Sequence, residues 1–425
     1  MPDAAPLSTR RAARRRPMRK DRHISRSRVR AFVATAVLAA VTIFSLAMAI
    51  TSGAASRSLE EGTSAPTAPL TSRETTTAKM PAPSYRPRRD PRAVSRSELA
   101  VRVSGNHLVN AEDDTLRLVG VDRSGTETLC AEDRGIFSGP TGSASITAMK
   151  AWHINSVRLP LNEDCWLGIN GLNPAYSGAR YRAAVEAYVA RLNHAGLYVI
   201  LDVSCSAPGS EPAQAHQDML DASHGYKLWR SIARAFKRSP AVLFDLFNEP
   251  HNLGSTTHEE WSCWANGCAE YAGMDRLVST VRSTGARNVI VVAGLSWASN
   301  DSGWLQHEPR DPRHQLAATF HVYYDVSACI DESCWNETLL PITARVPIVN
   351  DEFGELECGN PSAIAWLNEW MSFAAAHGFS MLAWAWDAWP VGCPGVPVLI
   401  TNYEGSPTPF GAAVKAFYAR PDLLR

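Results

Sequence analysis

The sequence lacks net charge, its 42 Lys and Arg matching its 42 Asp and Glu. That balance hides two unlike parts: up to Glu98 there are 19 Lys/Arg against 7 Asp/Glu, and from Leu99 onward 23 against 35, a tail of +12 and a remainder of −12. The remainder is short of the positive charge that nucleic-acid binding draws on, so a nucleic-acid partner is not expected, whereas a neutral polysaccharide is compatible. Cysteine is absent before Cys130, and none of the nine cysteines stands in a Cys-x-x-Cys spacing, which argues against zinc. Residues 51–98 are short of large apolar side chains and rich in Ser, Thr, Pro, Ala and Arg, so they cannot bury a core and are expected to form a disordered linker.

Residues 31–50 lack charge altogether, with only Thr35, Thr42 and Ser45 polar, and follow a leader carrying eleven Lys and Arg. A run of that length suffices to span a bilayer and exceeds the roughly 7–15 apolar residues of a signal peptide. Residues 1–50 therefore read either as a membrane anchor with its amino terminus inside or as a signal peptide, with small residues at Ala47-Met48-Ala49 and Gly53-Ala54-Ala55 for cleavage. In both readings residues 99–425 lie outside the cytoplasm, where disulfides are permitted. Cys263 with Cys268, and Cys329 with Cys334, are close enough to close small loops.

What is present centres on Leu243–Asn252. The apolar, aromatic run Val242–Phe247 ends on Asn248, Glu249 and Pro250, and proline continues neither a ladder nor a helix. The carboxylate thus sits where a strand stops. Pro347-Ile348-Val349 likewise runs into Asn350-Asp351-Glu352-Phe353-Gly354, 103 residues after Glu249. That interval holds about three βα units, so the glutamates fall on strands 4 and 7 of a (β/α)8 barrel, a fold of roughly 250 residues with its catalytic mouth at the carboxyl ends of the strands.

The other strands are expected at Leu116–Val121, Ser156–Leu159, Leu197–Val203, Val289–Ala293, Ala317–His321 and Ser380–Trp386, with a capping hairpin over Val101–Asn110. Helices are expected at Ala144–Trp152, Tyr181–Ala195, Ser223–Phe236, Ile364–His377 and Phe410–Tyr418. Cys130 and Cys165 then follow strands 1 and 2, and Cys358 and Cys393 follow strands 7 and 8, so each pair can link neighbouring loops and Cys205 is left over.

Asn248-Glu249-Pro250, then His321-Val322-Tyr323, then Glu352-Phe353-Gly354, each behind a strand, resemble the retaining glycoside hydrolases of family 5, the cellulase-like family of clan A. The resemblance covers roughly Leu116 to Tyr418. It implies Glu249 as acid/base, Glu352 as nucleophile, Arg158 and Tyr323 supporting the nucleophile, His321 beside the acid/base, and Asn248 on the sugar 2-hydroxyl. It also implies a tryptophan under the sugar on strand 8, with Trp386 favoured over Trp384 because it stands nearer the strand's end.

Three positions depart from the family pattern: Asp122 stands where the usual Gly-Val-Asn-Arg-Ser-Gly has asparagine, Ser204 where a histidine normally lines the site, and Cys205 where an aromatic is usual. Ser204 is still expected to donate to substrate, and His251 is a candidate contact. Arg158 and Tyr323 are expected to keep Glu352 ionised, while Glu249, beside that charge, keeps its proton. The activity implied is an endo-β-1,4-glucanase needing no metal or cofactor, a monomer acting on carbohydrate outside the cell, with residues 31–50 a possible membrane contact. Rival readings are an exo-acting glycosidase on mannosides or galactosides, and a carbohydrate-binding protein whose hydrolysis has decayed.

Overall fold

The structure, a computed structural model, describes residues 99–357, 359–389 and 397–423. The leader and linker expected over residues 1–98, and the pair Cys358–Cys393, lie outside the described residues. Among the described residues no helix is long and apolar enough to cross a membrane.

Two short antiparallel strands, β1 (Arg102–Ser104) and β2 (His107–Val109), form the expected hairpin. A parallel sheet follows: β3 (Val119–Asp122), β4 (Ser156–Asn162), β5 (Tyr198–Cys205), β6 (Val242–Asp245), β7 (Ile290–Ala293), β8 (Leu316–Thr319), β9 (His321–Tyr323), β10 (Val349–Gly354) and β11 (Ser380–Ala383). Each strand pairs with its sequence neighbour and β11 pairs with β3. The strands β8 and β9 are one barrel strand interrupted at Phe320: β9 pairs with β10, and Ala318 on β8 bridges to Ile348 just ahead of β10. The barrel therefore has eight strands and closes on itself, as the spacing of the two glutamates implies.

Strand alternation decides what fills it. Leu118, Ile200, Leu243, Val291, Ala317, Val349 and Leu382 share one buried cluster with Val101, Val103 and Leu108 of the hairpin, so the bottom of the barrel is apolar and plugged. Gln315 ties the plug down, its amide donating to the Val103 carbonyl at 3.0 Å and its oxygen accepting from the Val103 N–H at 2.8 Å. Two or four residues further along the same inward phase stand Asp122, Asp202, Asp245, Thr319 and Asp351, all buried. The outward phase, with Val119, Val157, Val199, Phe244 and Val292, packs against helices such as Ala179–His194, Gly225–Phe236 and Pro361–Ala376.

Disulfides join Cys130 to Cys165, Cys263 to Cys268 and Cys329 to Cys334, while Cys205 is free and buried. The strand expected over Ser380–Trp386 ends at Ala383, so alternation no longer governs the residues beyond it.

The floor yields a test. Leu243→Ala should cost roughly 2–5 kcal/mol, because the closed, plugged barrel limits collapse around the void. A urea midpoint within error of the native protein's would show that this layer is not what stabilises the barrel.

Candidate active site

The charged end of the barrel is built around Arg158, which β4 places inward and fully buried. Its Nη1 donates to Asp122 Oδ1 at 3.2 Å and to Glu352 Oε2 at 3.0 Å. Its Nη2 donates to Asp245 Oδ2 at 3.0 Å and to Asn248 Oδ1 at 2.6 Å. Asp202 lies 3.4 Å from Nη2, and Asp351 3.4 Å from Nε. Four aspartates exceed the charge of one guanidinium, and burial acts on all of them. It raises Asp122 and Asp245 well above the ordinary aspartate range and also raises Asp202. Asp351 goes the other way: burial opposes ionisation, but the Arg158 charge and a hydrogen bond from His321 hold it low.

Asp351 and Glu352 are consecutive, and in a regular strand they would face opposite sides. The ladder between β10 and β11 shifts register between Asn350 and Phe353, and this irregularity lets both carboxylates reach Arg158. The glycine after Phe353 has a local reason: a Cβ on Gly354 would meet Tyr323 Cε1 at 2.7 Å, and Tyr323 must stay there because its hydroxyl donates to Glu352 Oε1 at 2.7 Å.

Glu249 stands four residues beyond the end of β6, behind Pro250. His321 bridges the two glutamates: Nδ1 lies 3.0 Å from Glu249 Oε1 and 3.9 Å from Glu352 Oε2, and Nε2 lies 3.1 Å from Asp351 Oδ1. One ligand atom of each of Glu249, His321 and Glu352 lies within 4.8 Å of the others. A separation that short leaves no room for a water between the carboxylates and matches the roughly 5–5.5 Å of retaining enzymes rather than the roughly 6.5–9.5 Å of inverting ones. The same three groups could hold a cation, but each is already partnered within a network of acids and bases.

Both glutamates shift in the direction opposite to expectation. Burial opposes it, yet hydrogen bonds from His216 and His321 hold Glu249 below the usual carboxylate range. Burial raises Glu352, with His321 and Arg158 opposing that rise and Glu249 adding to it. Against burial, the Glu352 charge and hydrogen bonds to Asp351 and Glu249 raise His321 well above the ordinary imidazole value, which favours the charged ring.

The residue missed in the sequence is His216. It comes from the loop after β5, with Nδ1 3.7 Å from Glu249 Oε2 and 3.4 Å from Asn248 Nδ2. An imidazole thus reaches the acid/base position from a loop, where β5 itself offers only Ser204. Nothing in the spacing around His216 marks it; the one available signal was the empty place left by Ser204.

Three expectations need correction. Ser204 is buried and its hydroxyl donates to Asp202 Oδ2, so it braces the aspartates around Arg158 rather than facing substrate. His251 has both nitrogens engaged, Nδ1 with the Glu249 carbonyl at 2.7 Å and Nε2 with Asp218 at 3.1 Å, and its ring stacks on Trp297 at 3.4 Å, leaving no free donor for a sugar. Trp386 is fully buried, edge-on to Trp152 at 5.0 Å. Trp384, the first residue past β11, is partly exposed where Trp386 is not.

A family model described as cellulase (glycosyl hydrolase family 5) matches residues 120–389. A manganese-dependent endoglucanase of Phanerodontia chrysosporium is 25% identical over 51% of this chain and 53% of its own length. An endoglucanase of Halalkalibacter akibai is 26% identical over 49% of this chain and 24% of its own. The chain therefore spans about half, or less, of the length of these curated relatives. Among solved structures, a β-glucanase of Saccharophagus degradans in complex with cellotetraose superposes with a TM-score of 0.59 at 19% identity, covering 76% of this chain and 94% of that one. An endo-β-1,4-glucanase of Xanthomonas axonopodis pv. citri gives 0.55 at 24% identity over 71% of this chain and 98% of that one.

Arg158→Gln leaves the aspartates without their cation and should destabilise the fold by roughly 3–5 kcal/mol near neutral pH. Asp122 and Asp245 have raised folded-state pKa values, so the stability they contribute is present below the ordinary aspartate pKa and lost as pH rises through the raised one. The penalty in Arg158→Gln should therefore shrink between pH 7 and pH 5 in denaturant titrations. A penalty independent of pH would count against this account. Removing one of the two imidazoles on Glu249, in His216→Ala, should raise the Glu249 titration in infrared carboxylate difference spectra, with Glu249→Gln assigning the band. An unmoved band would show that His216 has no hold on it.

Proposed function

The chain belongs to the cellulase family, glycosyl hydrolase family 5, and from that premise we propose that it is a retaining endo-β-1,4-glucanase. The observation that carries the proposal is the facing pair Glu249 and Glu352, with Tyr323 and Arg158 on the second carboxylate and two imidazoles on the first. Glu352 attacks the anomeric carbon while the leaving oxygen takes a proton at Glu249, giving a glycosyl-enzyme; Glu249 then deprotonates the water that releases the sugar. His321, raised well above the ordinary imidazole value, stands one hydrogen bond from Glu249 and is the group from which that proton reaches it. Tyr323 and Arg158 orient Glu352 for attack, and their hydrogen bonds are returned in full when the covalent bond breaks.

Asn248, fixed by its 2.6 Å bond to Arg158, turns one N–H of its Nδ2 to His216 Nδ1 at 3.4 Å and has the other for the sugar 2-hydroxyl. Trp384 supplies an apolar face for a pyranose ring, and its backbone N–H, donating to the Phe353 carbonyl at 3.0 Å, ties it to the residue after the nucleophile. Linear β-1,4-glucan as substrate is supported by the endoglucanase names of the relatives and by the cellotetraose complex of the Saccharophagus degradans β-glucanase. We place the protein outside the cytoplasm, on the strength of three disulfides and the apolar run over residues 31–50. Recovery in a cytoplasmic fraction with reduced thiols would overturn that placement.

On soluble β-1,4-glucan the chain should release short oligosaccharides with retained anomeric configuration, followed by proton NMR of the first products. Glu352→Gln should lose at least about 10³-fold in kcat. Glu249→Gln should lose roughly 10²–10⁴-fold on polymer, and less on aryl glycosides whose leaving group needs no proton. Undiminished hydrolysis by Glu352→Gln, or inversion at the anomeric carbon, would refute the mechanism.

A further inference from the structure

Away from the two glutamates, a second group of ionisable side chains meets at the carboxyl ends of β4 and β5. Asn162 caps the short helix Glu163–Leu167, its Oδ1 accepting from the Cys165 N–H at 3.0 Å, which fixes Glu163 at the first helical position. Asp221 and His224 precede the helix Gly225–Phe236. The two acids are 58 residues apart in sequence, so no local motif announces them. In space, one ligand atom of each of Glu163, Asp221 and His224 lies within 4.8 Å of the others. His224 Nδ1 is 3.7 Å from Glu163 Oε1 and 3.8 Å from Asp221 Oδ1.

Both carboxylates are buried, and each leaves one oxygen, Glu163 Oε2 and Asp221 Oδ2, sealed from solvent without a hydrogen-bond partner. The other oxygens are only partly supplied. Glu163 Oε1 accepts from the Ala207 N–H at 3.4 Å; Asp221 Oδ1 accepts from the Ser223 hydroxyl at 2.5 Å and from the His224 N–H at 2.9 Å. Two adjacent buried carboxylates with unpaired oxygens are costly unless a positive charge joins them. Two occupants relieve that cost. A single shared proton makes one O–H···O bond, and burial with Asp221's hydrogen bond and charge pushes Glu163 up to about 11, so the proton is retained when nothing else is bound. A divalent ion uses both idle oxygens and the imidazole together and matches the two negative charges.

We infer that Glu163, Asp221 and His224 form a site for a first-row divalent metal ion. Two carboxylates and one imidazole, with no thiolate, suit manganese or zinc better than the all-oxygen preference of magnesium or calcium. The His224 side chain, 20% exposed, opens the site to solvent and gives an ion its way in. The ion would cross-link the end of β4 to the segment before the helix Gly225–Phe236, closing off the loop 206–224. That loop carries His216 to Glu249, so the metal acts as a clamp on the active-site wall and takes no part in bond cleavage.

The test uses the full chain, stripped with chelator and titrated with Mn²⁺, with bound ion counted by loss of the free Mn²⁺ EPR signal and stability read by calorimetry. One equivalent should bind and raise Tm. Glu163→Gln should weaken binding by more than about tenfold and abolish the Tm rise. His224→Ala, at a partly exposed position that the fold tolerates, should do the same. Glu352→Gln should keep the equivalent, because its carboxylate belongs to the other cluster. The inference is overturned if the native chain binds no Mn²⁺, if both Glu163→Gln and His224→Ala retain it, or if Glu352→Gln alone loses it.

Discussion

One guanidinium inside a ring of carboxylates sets the terms for everything at the catalytic end of the barrel. Arg158 contacts Asp122, Asp202, Asp245, Asp351 and Glu352 within 3.4 Å, all from different strands except the last two. A buried arginine is tolerable only when its donors are used, and here they are divided among four strands besides its own. The converse holds for the aspartates, whose excess charge is opposed by burial, which raises Asp122 and Asp245 well above the ordinary aspartate range. The result is a fully buried layer of polar groups. It holds Asn248 and Glu352 at fixed positions from behind, without taking up space in front of them.

The same strand alternation makes the floor and the roof of this interior. Leu243 and Asp245 are neighbours in phase on β6, as are Ile200 and Asp202 on β5 and Val349 and Asp351 on β10. Each strand therefore starts apolar, where the hairpin plugs the barrel, and ends acidic, where Arg158 waits. Stability is drawn from the first layer and chemistry from the second. The irregularity in β10 is what converts this regular pattern into a site, since it turns Glu352 into the phase that Asp351 already occupies. A strictly regular β10 would carry one of the two carboxylates away from Arg158.

What was legible in the sequence was whatever the backbone punctuates. Pro250 behind an apolar run and Gly354 at the end of β10 marked both glutamates, although β6 itself stops at Asp245, and the alternation of His321 and Tyr323 marked the face those two share. The unpaired charge of Arg158 within an apolar strand required an acidic partner, and the structure supplies five. Less legible was anything decided by how far a strand runs. Trp384 is partly exposed and Trp386 is not, because β11 stops at Ala383, after which the chain turns Trp386 outward onto Trp152. Ser204 and His251 look like free donors in sequence, but Asp202 and Asp218 claim them. His216 and the trio of Glu163, Asp221 and His224 depend on loops that bring distant positions together, and no periodicity encodes that.

The reversal at the two glutamates follows from this last class of residue. Argued from Arg158 and Tyr323 alone, Glu352 should be the ionised partner and Glu249 the protonated one. Two imidazoles at Glu249 outweigh one guanidinium shared among five carboxylates, so Glu249 is lowered while His216 and His321 are raised. The guanidinium is a weak stabiliser of any single acid because so many acids divide it. A sugar bound between the glutamates displaces water from both and adds no charge of its own. It therefore makes an ionised Glu249 beside a charged His321 costlier relative to the neutral pair, and the transfer of one proton across their 3.0 Å hydrogen bond removes both charges at once. A bound sugar thus arms the acid, favouring movement of a proton from His321 to Glu249, next to the oxygen that needs it.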